Sequence, residues 1–183
     1  THCVAGSHGW AINAQIAGSV PGAHGVTFLP FLQGRMGGKA NGDAAAAFVG
    51  MRLSTERADL ARSVMEGICF EIYETILAQS KAGLAVGDIR LTGGAAKSPM
   101  WVQMQADIYQ RPVSVLQTSE NGCLGAALYA AVGAGVYKDV YEAVDRAVQV
   151  GRTYEPNPAN FAAYQDAYAR FEKYFDSLWP VRY

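Results

Sequence analysis

A strand, a glycine pair and a helix in immediate succession constrain this chain more than anything else in it. Asp88, Ile89, Arg90, Leu91 and Thr92 are followed by Gly93 and Gly94, then by Ser98, Pro99 and a helical stretch with Trp101, Met104, Ala106 and Ile108. After Arg111 and Pro112 a second β-prone run, Val113 to Leu116, begins. Two strands joined through one helix form a right-handed βαβ unit, so these strands are expected side by side and parallel in one sheet. Ser98 as cap and Pro99 at the first helical position give the helix its start.

The elements around this unit point the same way. From Ser54 onward Leu60, Val64, Ile68, Ile72 and Ile76 recur every four residues, with Met65, Cys69 and Leu77 widening the stripe. This pattern predicts an amphipathic helix from about Thr55 to Lys81, capped by Ser54 and stopped by Gly83, with Glu56 and Asp59 complementing its positive end. Val26 to Leu29 form a β-prone run ending at Pro30, and a Gly-rich loop follows from Gln33. A buried strand that delivers a mobile loop is a common way to build part of a site. Gly122 to Val132 predict a helix whose Gly125, Ala126, Ala127, Ala130 and Ala131 leave a nearly bare face, able to pack close to a neighbouring backbone. A short helix carries Val140, Ala143, Val144, Ala147 and Val148 inward, and a rigid connector follows from Tyr154 to Pro158. The last helix starts with Asn157 as cap and Pro158 at its first position. Its stripe of Phe161, Tyr164, Tyr168, Phe171, Phe175 and Leu178 reads as packing against the body.

Composition removes several functions. The 183 residues carry 15 Lys+Arg against 16 Asp+Glu, a formal net charge of −1, which leaves no positive surplus for nucleic acid or an anionic membrane surface. Apolar runs such as Ala44 to Val49 and Ala126 to Val132 fall far short of the ~20 residues that span a bilayer. Cys3, Cys69 and Cys123 are odd in number and widely spaced, which suggests neither a disulfide framework nor a zinc site, and Cys69 and Cys123 are expected to be buried as small hydrophobes. His2, His8 and His24 lie in Gly-rich surroundings without ligand spacing and read as loop histidines. No basic-then-apolar signal segment opens the chain, and its first residue is Thr1, so it reads as part of a cytoplasmic protein. Residues 1 to 25 are the least regular stretch, with one strand expected around Trp10 to Ile16 and a turn at Pro21 and Gly22.

The chemistry-bearing segment is Leu91 to Trp101. Paired glycines at a strand's carboxyl end let a flat ligand or a phosphate approach the backbone, because no Cβ stands in the way. Free N–H groups at the start of the next helix open into the same space, and Ser98 either caps them or bonds a ligand hydroxyl. The spacing is not G-x-G-x-x-G, and Lys97 does not follow a glycine as a Walker A lysine does. A nucleotide site and a tight structural turn fit these residues equally well. A dinucleotide-binding dehydrogenase fits poorly, since Leu116, Gln117 and Thr118 stand where an acidic residue should end the second strand.

Four blocks resemble something definite: "FLPFLQGR" at 28 to 35, "FVGMRLSTERADLARSVMEGICFEI" at 48 to 72, "LTGGAAKSPMWVQMQADIYQRPV" at 91 to 113 and "ENGCLGAALYAAVGAGVY" at 120 to 137. In this order, with the "YEPNP" tail, they resemble the carboxyl-terminal half of FGGY-family carbohydrate kinases, with xylulokinases and other pentulose kinases as the nearest relatives. The resemblance implies an α/β domain of the actin-like, ribonuclease-H-like kind, a mixed sheet with flanking helices. Residues 1–183 would then be the C-terminal nucleotide-binding domain of a two-domain sugar kinase, with 1–25 irregular or incomplete and 157–183 its closing helix. It implies ATP and Mg²⁺ as cofactors, a ketose or polyol as small sugar substrate, and the N-terminal domain of the same polypeptide as partner. Many relatives are dimers. Carried over residue by residue, Gly93, Gly94, Ala95 and Ser98 become nucleotide contacts, and the helix from Gly122 is similar to the connecting helix whose close approach transmits domain closure.

The departures matter as well. The loop from Gln33 to Asp43 is similar to the family's "SGERTP" region at the cleft but reads Gln33, Gly34, Arg35, Met36, Gly37, Gly38. The family's general-base aspartate and first phosphate loop lie outside this chain, so it holds no catalytic residue or metal ligand of that set. Ala5 to Gly9 only loosely echo the second phosphate loop, and the short segment from Asn13 to Ser19 leaves no room for a helix the family usually has there. Glu56, Asp59 and Glu66 read as helix-surface charges, Asp107 as following the packed Trp101 helix, and Glu120 as part of a helix start. The alternative to a kinase half, inactive by itself, is a non-catalytic actin-like sensor or assembly module.

Overall fold

The longest element is also the one whose burial differs most from its sequence pattern. In the computed structural model, which describes residues 16–36, 39–118 and 120–180, a helix α1 runs over Arg57–Lys81. Its buried residues include Asp59, Arg62, Ser63, Met65, Glu66, Cys69 and Phe70, whereas Val64 and Ile68 are half-buried and Ile72 is 44% exposed. The reason is angular. At 3.6 residues per turn, each step of four overshoots by about 40°, so a stripe spaced strictly by four winds around the helix and cannot share one face. The helix also starts later than Ser54 suggests. The Arg52 N–H bonds Thr55 Oγ1 at 2.8 Å in a turn, and the Asp59 carboxylate instead accepts from the Glu56 N–H at 3.0 Å, with Glu56 as the cap. Gly83 closes the helix at φ +76 as expected.

Strands β1 (Thr27–Leu29) and β2 (Ala47–Val49) pair antiparallel, with Phe28 opposite Phe48 and their rings 4.6 Å apart. β2 falls in the alanine-rich run that carried no strand signal. α1 crosses β1 so closely that a Cβ on Gly67 would overlap the Phe28 carbonyl oxygen. Further along, β3 (Ile89–Leu91), α2 (Pro99–Tyr109) and β4 (Val113–Leu116) form the expected βαβ unit, parallel with Ile89 opposite Val113. Two helices follow, α3 (Asn121–Gly133) and α4 (Val140–Ala147), and then a strand β5 (Val150–Tyr154) that pairs antiparallel with β4. The sheet order is β3-β4-β5, which makes it mixed. β5 was not legible as a strand, because four of its five residues are exposed at a sheet edge and show no inward alternation.

The chain closes with a 3₁₀ turn, Pro158–Asn160, capped by the Asn157 side chain, and then α5 (Phe161–Leu178). Phe171 and Phe175 are fully buried and stack around Phe31, with ring centroids 5.9 and 5.1 Å from it. Each fully buried phenylalanine stabilises by about 1.5–3 kcal/mol, so α5 is bolted to the body by its aromatic stripe. Asp107 serves the same junction. It is 2% exposed and accepts from the Asn157 N–H at 2.8 Å and from Asn160 Nδ2 at 2.7 Å.

Two further expectations fail. α3 does not press its bare face onto a backbone among the described residues: Leu128 is its only buried residue, and a Cβ on Gly122 or Gly125 would meet nothing within 4 Å. Cys123, on that helix, is exposed for the same reason, whereas Cys69 is buried at 0% and burial pushes its thiol up to about 12. The expected strand at Trp10 to Ile16 (Ile16 excepted), the Ala5 to Gly9 echo, Cys3, His2 and His8 lie outside the described residues.

Candidate functional site

The glycine turn sits where β3 ends. Gly93 has φ +77, a left-handed value that a glycine adopts without strain, and Gly94 has φ −61 and ψ −40. A 3₁₀ turn, Ala95–Lys97, is stitched by the Lys97 N–H to the Gly94 carbonyl at 3.2 Å, and leads to Ser98. Ser98 is 5% exposed, and its Oγ accepts from the Trp101 N–H at 3.3 Å as cap of α2. Gly93 and Gly94 are exposed, Ala95 is half-buried, and a Cβ built on either glycine would meet no heavy atom within 4 Å. The four residues singled out from the sequence therefore lie in one turn: two with bare backbone in open space, one half-buried, and one buried that fixes the helix behind them. A flat ligand can lie along such a backbone, and the turn's geometry is held by α2 rather than by the ligand.

The charges stand apart from what the sequence suggested. Arg35, in the loop read as mobile, has its side chain at 0% exposure. Its guanidinium pairs with Glu74, with Glu172 at 2.8 Å and with Glu71 at 3.3 Å, and lies 4.1 Å from the centre of the Phe175 ring. The backbone of Arg35 exchanges two bonds of 2.9 Å with Asn41, and Lys39 adds ion pairs to Glu172 at 2.6 Å and to Asp176 at 2.9 Å. This stretch is an anchor tying the segment after β1 to α1 and α5.

Asp59 and Glu66, read as surface charges, are each 2% exposed. Asp59 accepts from Ser19 Oγ at 2.6 Å and sits 2.7 Å from His24 Nδ1; burial works against its charge, but the Ser19 and His24 bonds outweigh that and hold its carboxyl below the usual range. Glu66 accepts from the Gly22 N–H at 3.0 Å and from Arg62 Nε at 2.9 Å, and burial, only partly opposed by Arg62, raises it to about 7. Arg62 continues to the Ser19 carbonyl at 3.1 Å and to the Tyr164 hydroxyl at 2.8 Å. The spacing 59, 62, 63, 66 is itself a helical face, and that polar periodicity was the signal available in the sequence. Mg²⁺, which the resemblance implies, finds no group of three or more His, Cys, Asp or Glu able to hold it among the described residues. No helix among them is long and apolar enough to cross a membrane.

The mixed sheet with flanking helices fits the α/β domain of the actin-like, ribonuclease-H-like class that the family resemblance implies. The solved structure of xylulose kinase from Rhodospirillum rubrum matches it with a TM-score of 0.79 at 26% identity, over 97% of this chain and 36% of that one. A xylulose kinase from Staphylococcus epidermidis is 35% identical over 156 residues, 85% of this chain and 32% of its own. A probable L-xylulose kinase from Pasteurella multocida is 36% identical over 167 residues, 91% of this chain and 33% of its own. The sequence model of the FGGY family of carbohydrate kinases, C-terminal domain, matches residues 7–134. The chain belongs to the FGGY family of carbohydrate kinases, as a C-terminal domain. It spans about a third of the length of the curated relatives it matches.

Proposed function

We propose that residues 1–183 are the nucleotide-binding domain of an ATP-dependent kinase that transfers the γ-phosphoryl group to a hydroxyl of a ketose or polyol. The observation that carries this reading is the open glycine turn of Gly93 and Gly94 at the end of a sheet strand in an FGGY-family domain. In it the purine and ribose rest against Gly93, Gly94 and Ala95, where a side chain would stand in the ligand's place. Ser98 holds the first turn of α2 and so fixes the surface they lie on. Mg²⁺, when bound with the nucleotide, offsets charge on the phosphate oxygens. Its ligands, the general base and the sugar contacts belong in this reading to the N-terminal domain of the same polypeptide. Xylulose-like ketoses are the acceptor class the relatives' names favour.

Calorimetric titration with ATP and ADP tests it, on the intact polypeptide and on this chain, with Gly94→Trp in each. Binding near millimolar or tighter, weakened at least about tenfold by the substitution, is the expected result, since an indole ring fills the space the purine needs. Undiminished affinity in folded Gly94→Trp rules the site out.

A further inference from the structure

A second cleft, sharing no residue with the glycine turn, opens beside α5. Its volume is about 550 Å³, and His24, Gly25, Gly50, Met51, Arg52, Arg170 and Tyr174 line it. That size suits a small metabolite rather than a bare ion. The lining contains two guanidinium groups, an imidazole and a phenol, and no carboxylate.

The carboxylates nearby are already committed. Asp59 is buried against Ser19 and His24 Nδ1, and Glu66 against Gly22 and Arg62. Arg170 gives one bond, to the Gly22 carbonyl at 3.3 Å, while its Nε is buried without a hydrogen-bond partner. Arg170 lines the cleft and its guanidinium has donors beyond that single bond to Gly22, which leaves it able to take an acceptor there. The Arg52 side chain makes no hydrogen bond or ion pair among the described residues.

The backbone here is strained. Gly22, Ala23, His24 and Gly25 all have left-handed φ, at 85, 47, 48 and 90, and left-handed geometry at a non-glycine costs roughly 1–2 kcal/mol per residue. Such strain collects at binding sites, where neighbours hold it in place. Glu66 and Arg170 grip the two sides of Gly22, and Asp59 grips His24. Gly50, at φ +84, lets its backbone close on Gly25: a Cβ there would stand 2.5 Å from the Gly25 oxygen and 3.7 Å from the Tyr174 hydroxyl. The cleft is thus held in shape before any ligand arrives.

We propose that this cleft binds the phosphate group of a small molecule, with Arg52 and Arg170 as its charge partners and His24 and Tyr174 as further hydrogen-bonding groups. Guanidinium forks match phosphate oxygens in pairs, and two arginines favour this ligand class where no carboxylate lines the cleft and Glu66, whose charge Arg170 feels, is already bonded to Gly22 and Arg62.

The test follows the His24 imidazole by NMR in the intact polypeptide, assigned by its loss in His24→Gln. Inorganic phosphate and ribose 5-phosphate are titrated separately at constant ionic strength. A saturating shift in the low millimolar range, moved at least about tenfold in Arg52→Glu and in Arg170→Gln, is expected. Saturation by both probes makes the free anion sufficient, and saturation by ribose 5-phosphate alone makes the site one for phosphate esters; both support the proposal. Arg170→Gln also loses the bond to Gly22, so if it fails to fold, Arg52→Glu decides alone. A linear, non-saturating shift with both probes, or an unchanged curve in Arg52→Glu, overturns it.

Discussion

Gly50 and Gly67, packed against the region of β1, and Gly93 and Gly94, after β3, meet opposite surroundings. Gly50 and Gly67 let one backbone close on another, so that a Cβ at either would strike a carbonyl oxygen. Gly93 and Gly94 face space in which a Cβ would meet nothing within 4 Å. In the first region glycine is required by the fold. In the second the domain's own packing does not require it at Gly94, whose φ of −61 any residue can adopt. The same contrast holds for charge: Arg35 is sealed among three glutamates and three phenylalanine rings, whereas Lys97 beside the glycine turn is exposed.

Three substitutions put that contrast at risk. Arg35→Met should have the largest effect, because it leaves Glu71, Glu74 and Glu172 facing one another without their cation. Removing one partner of a buried pair costs about 3–5 kcal/mol, read as a lower urea midpoint, and a loss below about 1 kcal/mol would reduce the anchor to a surface ion pair. Gly67→Ala comes next, at about 1–3 kcal/mol despite alanine's better helix propensity, since α1 or β1 must shift to admit the methyl group. Gly94→Ala, measured alongside, should stay within about 0.5 kcal/mol of the parent, and equal losses at the two sites would erase the distinction.

A separate effect concerns pH. Because Glu66 rises from an ordinary 4.5 to about 7, the folded chain holds its proton more tightly than the unfolded one. Stability from this group is therefore full at low pH and declines as pH climbs from about 4.5 through about 7, by at most about 1.4 kcal/mol per pH unit. Asp59, held below its ordinary 3.8, acts oppositely, and its contribution is lost as pH falls below that value. Unfolding midpoints between pH 5 and 8 should fall less steeply in Glu66→Gln than in the parent. Parallel slopes would show that Glu66 does not carry the dependence.

Much of the architecture was legible because it is local. The βαβ unit, the caps at Ser98 and Asn157, the stop at Gly83 and the aromatic face of α5 each depend on residues a few positions apart. The geometry of the candidate site segment was legible for the same reason, since strand, turn and helix are contiguous. What escaped depends on distant partners. β5 is a strand only because β4 lies alongside it, 34 or more residues earlier in sequence. Asp59 and Glu66 look like surface charges until Ser19, Gly22 and His24 arrive from a segment about 40 residues away. Arg35 looks like a loop residue until Glu172 reaches it from α5. The cleft of His24, Arg52, Arg170 and Tyr174 draws on three separated segments and left no contiguous signal.

The bond from Arg35 to Glu172 spans 137 positions, and that from Arg170 to Gly22 spans 148. On a ribosome adding roughly 5–20 residues per second, the segment around β1 waits roughly 7–30 seconds for the helix that secures it. During that interval Phe31 has neither Phe171 nor Phe175 to shelter it. A stop codon or frameshift anywhere before α5 would therefore undo the beginning of this domain as surely as its end.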